Sequence, residues 1–230
     1  MINFINKIKI KKWIIFILLL LCFLCFDLVT AIVYYYLGGD INNLTMNETI
    51  CFLLIKYLVL IVVFIILYRK YLNDKWLDFK KNFKEYFEIS FKNWLLGFVI
   101  MIVSNLIINY FIDGLGQNES SVQLLIQKMP VIAFFITTLL APFIEEMIFR
   151  KSLQDAFNSK TLYMITSGVL FGLIHVMGSG NIYEYLLIIP YGALGFMFAK
   201  TINETDNIYS TIMMHMLHNG ALTLLAIGVI

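Results

Sequence analysis

The chain has 230 residues, of which 60% are hydrophobic, 16% aromatic and only 14% charged, with a formal net charge of +2. Soluble domains are about 45–50% apolar and about 25% charged. At a mean hydropathy of +0.83 there is too little polar surface to cover a globule in water. A soluble enzyme, a disordered segment and a nucleic-acid-binding module are excluded, and an all-α, polytopic transmembrane helical bundle is expected.

A hydrocarbon core takes about 20 apolar residues of helix. Seven stretches qualify, roughly 13–37, 49–68, 94–112, 130–157, 162–177, 183–199 and 208–230. The first follows Lys7, Lys9, Lys11 and Lys12; its apolar run is too long for a signal peptide, so it reads as an uncleaved span. Cys22, Cys25 and Cys51 sit inside apolar runs and read as apolar filling, with no disulfide framework implied.

Fifteen of the 17 Lys and Arg residues fall on one side of these spans: the four amino-terminal lysines, seven cations between Arg69 and Lys92, then Arg150, Lys151, Lys160 and Lys200. Lys128 lies opposite, in or after the loop 113–121, and Lys56 lies inside span two. By the positive-inside rule the amino terminus is expected in the cytoplasm and the carboxyl terminus outside; a compact chain with no soluble domain between its spans suits a bacterial plasma membrane. Leu72, Trp76, Phe79, Phe83 and Tyr86 recur at three- and four-residue steps. That pattern predicts an amphipathic helix at 70–92, either on the anionic inner leaflet or as a solvated connector. The chain thus divides into an amino-terminal region, 1–129, with three spans and this helix, and a region 130–230 with four spans. No internal repeat suggests an inverted-repeat transporter.

Ionisable groups inside spans are costly and mark functional candidates. Asp27 and Lys56 are isolated and read as structural, through pairing with another helix or snorkelling. The last four spans differ. Span four holds Pro142, Glu145, Glu146 and Arg150; span five holds Phe171 and His175; span seven holds His215, His218 and Asn219. Glu146 and Arg150, four apart, stack on one helix face as an ion pair. Glu145 is rotated about 100° away, which leaves it free to accept a proton. Pro142 should kink its helix one turn before the glutamates. Gly168 and Gly172 form a G-x-x-x-G that admits a neighbouring backbone and presses His175 into the bundle. His215 and Asn219 share a face, with His218 to its side.

These three elements resemble the CPBP family of intramembrane proteases, which includes CAAX prenyl endopeptidases and bacteriocin-processing and immunity proteins. The family motifs E-E-x-x-x-R, F-x-x-x-H and H-x-x-x-N/D read here as Glu145-Glu146…Arg150, Phe171…His175 and His215…Asn219, in order, over roughly 130–221. The resemblance implies that Glu145 activates the hydrolytic water and His175 assists proton transfer. It further implies that His215 and Asn219 stabilise the oxyanion, while Glu146 and Arg150 support the site.

A divalent metal such as zinc, held by Glu145, His175 and His215, is the alternative arrangement these residue types offer. The expected substrate is a membrane-embedded peptide or protein tail within the lipid bilayer, in peptide maturation or bacteriocin self-immunity. A non-catalytic binding or immunity scaffold would need the fold but not Glu145; a proton-coupled transporter would use the same groups as a relay.

Overall fold

The computed structural model describes residues 2–111 and 116–228. Its regular elements are all helical: α1 (Ile2–Tyr36), α2 (Met46–Lys81), α3 (Phe83–Ile108), α4 (Gln117–Lys128), α5 (Pro130–Ala156), α6 (Lys160–Val176), α7 (Ile188–Thr205) and α8 (Ile208–Ile227). Short 3-10 turns at Ile41–Asn43 and Ile182–Leu187 lead towards α2 and α7. The seven expected apolar stretches coincide with α1–α3 and α5–α8. Among the described residues, five helices are long and apolar enough to cross a membrane: α1, α2, α3, α5 and the run Ile182–Thr205 that includes α7. α6, with 17 residues, is a shorter apolar helix. The expected span ends at Ile112 and Ile230 and the loop residue Asp113 lie outside the described residues.

The ends of the helices sort onto two sides. On the lysine-rich side Trp13 meets Phe157, Lys75 pairs with Asp206 at 2.7 Å, and Lys151 lies 3.9 Å over the Tyr71 ring. On the other side Glu184 accepts a hydrogen bond from the Gln117 backbone N–H at 2.9 Å. α2 starts there with a capping box: Thr45 accepts from the Glu48 N–H, and Glu48 accepts from the Thr45 N–H. Two otherwise orphaned helix-end donors are satisfied in this way.

Residues 70–92 are not one helix. They divide at Asn82, between the end of α2 and the start of α3. The cause is a polar hub: Asp78 accepts from the Asn82 amide at 2.8 Å, the Tyr86 hydroxyl at 2.8 Å and the Asn207 amide at 2.9 Å. The apolar residues of the periodic pattern divide: Trp76 and Phe83 stay largely exposed, at 45% and 49%, and the others turn inward. Leu72 and Phe79 are buried, and the rings of Trp76 and Phe79 pack on Tyr209 of α8. The bundle therefore covers part of the periodic face and leaves Trp76 and Phe83 outward. α4 is a further difference, a helix in what reads as a polar loop.

The G-x-x-x-G expectation holds, and the partner is α7. A Cβ at Gly168 would lie 2.8 Å from the Gly192 carbonyl oxygen, and one at Gly172 would lie 2.6 Å from that of Ile188. α7 answers with Gly195, where a Cβ would lie 2.9 Å from the Phe171 Cβ. Small residues on both helices allow this close approach, which fixes the last two turns of α6 against the start of α7.

Candidate active site

α5 carries both glutamates and is not a uniform helix. Two π-helical turns, Ile136–Leu140 and Met147–Ser152, flank the segment Ala141–Glu146. The first lies where Pro142 is expected to disturb the helix: proline has no N–H to donate and its ring crowds the carbonyl four residues back. The disturbance takes the form of a widened turn. Such turns change which backbone carbonyls find helical partners, and neighbouring helices supply donors to them. Thr137 O accepts from the Asn219 side-chain amide at 3.0 Å. Phe149 O accepts from the Ser167 hydroxyl at 2.9 Å, and Arg150 O from the Tyr163 hydroxyl at 3.1 Å. α6 and α8 thus lock the segment bearing Glu145 and Glu146 from both ends.

Between the π turns the acids take separate roles. Glu146 Oε2 lies 3.1 Å from Arg150 Nε, and both side chains are fully buried. The guanidinium lies 4.4 Å from the Phe171 ring and 5.5 Å from Phe198, an aromatic cradle that favours a cation where acceptors are few. The other oxygen of Glu146 contacts His215 Nδ1 at 2.8 Å. A carboxylate held by arginine only accepts, so Nδ1 carries the proton and the ring orientation is fixed. His215 is also stacked on Phe198 at 5.1 Å. Its Nε2 then faces Glu145 Oε2 at 3.8 Å, too far for a direct hydrogen bond and within reach of a bridging group.

His175 stands apart. Its Nδ1 donates to the Phe171 carbonyl at 2.7 Å, since a carbonyl can only accept, leaving Nε2 with a lone pair. Its ring stacks on Tyr191 at 4.4 Å and lies 4.5 Å from the Phe171 ring. Phe171 touches the His215 ring as well, at 5.7 Å, and so forms a wall between the two histidines. Among the described residues no carboxylate oxygen comes within ion-pair distance of His175; those near a histidine face His215. His218 is buried and accepts from the Trp94 indole N–H at 3.3 Å.

The structure therefore gathers Glu145, Glu146, Arg150 and His215 tightly, sets His175 across Phe171, and ties one Asn219 N–H to the α5 backbone. No group of three His, Cys, Asp or Glu side chains converges as a metal-ligand set among the described residues. Glu145, His175 and His215 do not form a three-ligand cage, and His215 Nδ1 is occupied by Glu146. Sequence reasoning missed Thr137, Ser167, Tyr163 and Tyr191, because none belongs to a spacing pattern; their roles arise from partners on other helices.

A family model described as type II CAAX prenyl endopeptidase, Rce1-like, matches residues 127–221, which include all seven motif residues named above. YdiL of Bacillus subtilis, named as a membrane peptidase, is 31% identical over 134 residues, 54% of this chain and 52% of YdiL. The UPF0177 protein YbdI of Lactococcus lactis is 32% identical over 139 residues, 56% of this chain and 74% of YbdI. The membrane-embedded CAAX protease MroQ of Staphylococcus aureus is 24% identical over 137 residues, 55% of this chain and 54% of MroQ. The match thus spans about half the length of YdiL and of MroQ. No solved structure matches the chain.

Proposed function

This chain belongs to the Rce1-like family of type II CAAX prenyl endopeptidases and is an integral membrane protein, and we propose that it is an intramembrane endopeptidase whose general base is Glu145. One observation carries this reading. Glu146 is committed to Arg150 and to His215 Nδ1, while Glu145, one residue away, faces the other nitrogen of the same ring across 3.8 Å. The pair leaves one carboxylate structural and the other open to chemistry.

In the proposed reaction a water attacks the scissile amide carbon while Glu145 takes its proton. The carbonyl oxygen becomes an oxyanion. His215, oriented by Glu146, donates to it from Nε2 when that nitrogen carries a proton. The remaining N–H of Asn219 is a second donor. The C–N bond then breaks, the nitrogen leaves with a proton passed through Glu145 or His175, and the acyl part leaves as a carboxylate. The residues here do not fit a three-ligand metal site, so no step runs through a metal. A chelator that abolishes cleavage, with recovery on adding zinc, would overturn that version.

The relatives reported above are bacterial, and the cation bias supports a plasma membrane with the amino terminus in the cytoplasm. Maturation of a membrane-associated peptide, or self-protection from a bacteriocin, is the role such cleavage would serve.

The test compares membrane-peptide termini by mass spectrometry in cells with the wild-type chain, Glu145→Gln, or none. A terminus present with wild type alone supports the reading. If the three profiles agree while a cellular phenotype survives Glu145→Gln, the protein is a binding scaffold instead.

A further inference from the structure

α6 begins at Lys160, on the lysine-rich side, and its 17 residues rise about 25 Å. Its last turn, with His175, therefore emerges on the lysine-poor side. There a cleft of about 180 Å³ opens between this turn and the first turns of α4. Gln117, Asn118 and Ser121 line one wall, and Ser179 and His175 line the other, above Ile174 and Met177.

The α4 wall is anchored where Glu184 accepts the Gln117 N–H at 2.9 Å, an anion at a helix start, where the helix dipole favours it. Opposite it, the Tyr191 ring stacks on His175 and ties the histidine to α7. A larger depression along Ile66–Asp74 is lined by α2 alone and brings no groups together from different elements.

The lining has a definite chemistry. Amides and hydroxyls both donate and accept and carry no charge. They suit the alternating N–H and C=O groups of an extended peptide, which repeat at about 3.3 Å per residue. A phosphate headgroup would call for arginine or lysine, and none lines the cleft among the described residues. Ile174 and Met177 give an apolar seat for one side chain. The volume is below the about 300–1,000 Å³ of pockets that enclose small molecules, too small for a long isoprenoid chain.

We propose that this cleft holds an unprenylated, extended peptide segment, presented to His175 from the lysine-poor side of the membrane. The proposal rests on the endopeptidase reading and adds to it a side of entry and a substrate class.

The experiment uses the full chain with Cys22, Cys25 and Cys51 replaced by alanine, and introduces Ser179→Cys or Lys160→Cys. Intact cells are treated with a membrane-impermeant methanethiosulfonate, and membrane-peptide termini are recorded. The thiol of Ser179→Cys is expected to react on intact cells, and that of Lys160→Cys only after permeabilisation. Labelling at position 179 is expected to lower the Glu145-dependent termini about tenfold or more, the scale of one lost contact. Reduction should restore them, which shows that the fold was intact.

The reverse labelling pattern overturns the side of entry. Labelling at 179 with undiminished termini overturns the cleft as subsite, and prenylated products overturn the substrate class. If no terminus depends on Glu145 even before labelling, the endopeptidase reading itself has failed and the proposal falls with it. That failure is distinguishable because it appears in the unlabelled chain.

Discussion

Two intramembrane ion pairs sit in the two halves of this bundle, and they are built differently. Lys56 of α2 reaches Asp27 of α1 at 2.6 Å, with the lysine buried and the aspartate 57% exposed on the bundle surface. Arg150 and Glu146 of α5 are both fully buried. The first pair joins two helices that face mostly outward: 11% of the apolar window of α1 and 22% of that of α2 is buried, against 50% for α5. The second is one edge of a network that includes His215, Phe171, Phe198 and a π turn. Two similar charge pairs in similarly apolar helices thus do different things. One neutralises a pair of strays; the other fixes a histidine and releases a neighbouring carboxylate.

The largest effect should follow from breaking the inner pair. Arg150→Met leaves Glu146 as a buried, uncompensated charge, a situation that costs about 3–5 kcal/mol. Unfolding in detergent should show that loss, or the variant should fail to accumulate. Glu145→Gln, one residue from Glu146 but outside the pair, should unfold within about 0.5 kcal/mol of wild type while abolishing cleavage. Equal destabilisation by the two substitutions would mean that the acids do not divide structure from chemistry.

Next comes the α6–α7 contact. At Gly172 an added Cβ meets backbone, the Ile188 carbonyl oxygen, at 2.6 Å, so Gly172→Ala must push the helices apart. Overpacking of this kind costs about 1–3 kcal/mol. Because His175 lies one turn further on and stacks across the same interface on Tyr191, cleavage should fall more than stability alone explains. Gly180→Ala, in a position with open space around it, is the control and should leave both unchanged.

A smaller effect is expected where a π turn is held from outside. Ser167→Ala removes the donor to the Phe149 carbonyl and should cost about 1 kcal/mol in unfolding. A null result would show that this carbonyl is satisfied within its own helix.

These same elements mark what could be read from the sequence. Glu146 with Arg150 was legible because an i, i+4 pair is a local geometric fact, and Gly168 with Gly172 was legible for the same reason. The spans were legible as apolar runs, though α4 was not, since a 12-residue helix with a polar amino-terminal half has little periodic signal. The π turns had one local sign, Pro142, and it gave their neighbourhood but not their form. What holds them lies 18 to 82 residues away, in Ser167 and Asn219. Asn219 shows the limit well: its place beside His215 on one face was readable, but its bond to Thr137 O depends on α8 crossing α5. The break at Asn82 likewise needs Asn207, 129 residues after Asp78.

Removing the outer pair as a whole gives the smallest expected effect and the sharpest test of the comparison. Lys56 is 8% exposed and its ammonium lies 4.7 Å from the Phe23 ring, so Asp27→Asn leaves a buried cation with only an aromatic face for company. Lys56→Met instead leaves Asp27, which is 57% exposed on the bundle surface rather than enclosed by it. The lysine-retaining variant should therefore be the less stable of the two. Removing both charges should return the protein to within about 1 kcal/mol of wild type, since a pair replaced by apolar groups is often neutral. A double-mutant cycle on unfolding in detergent measures the coupling directly. Cleavage should persist in all three variants, because neither residue touches the network around His215. If the double variant is as unstable as Arg150→Met, or loses cleavage, then the outer pair is part of the same machinery and the contrast between the two halves fails.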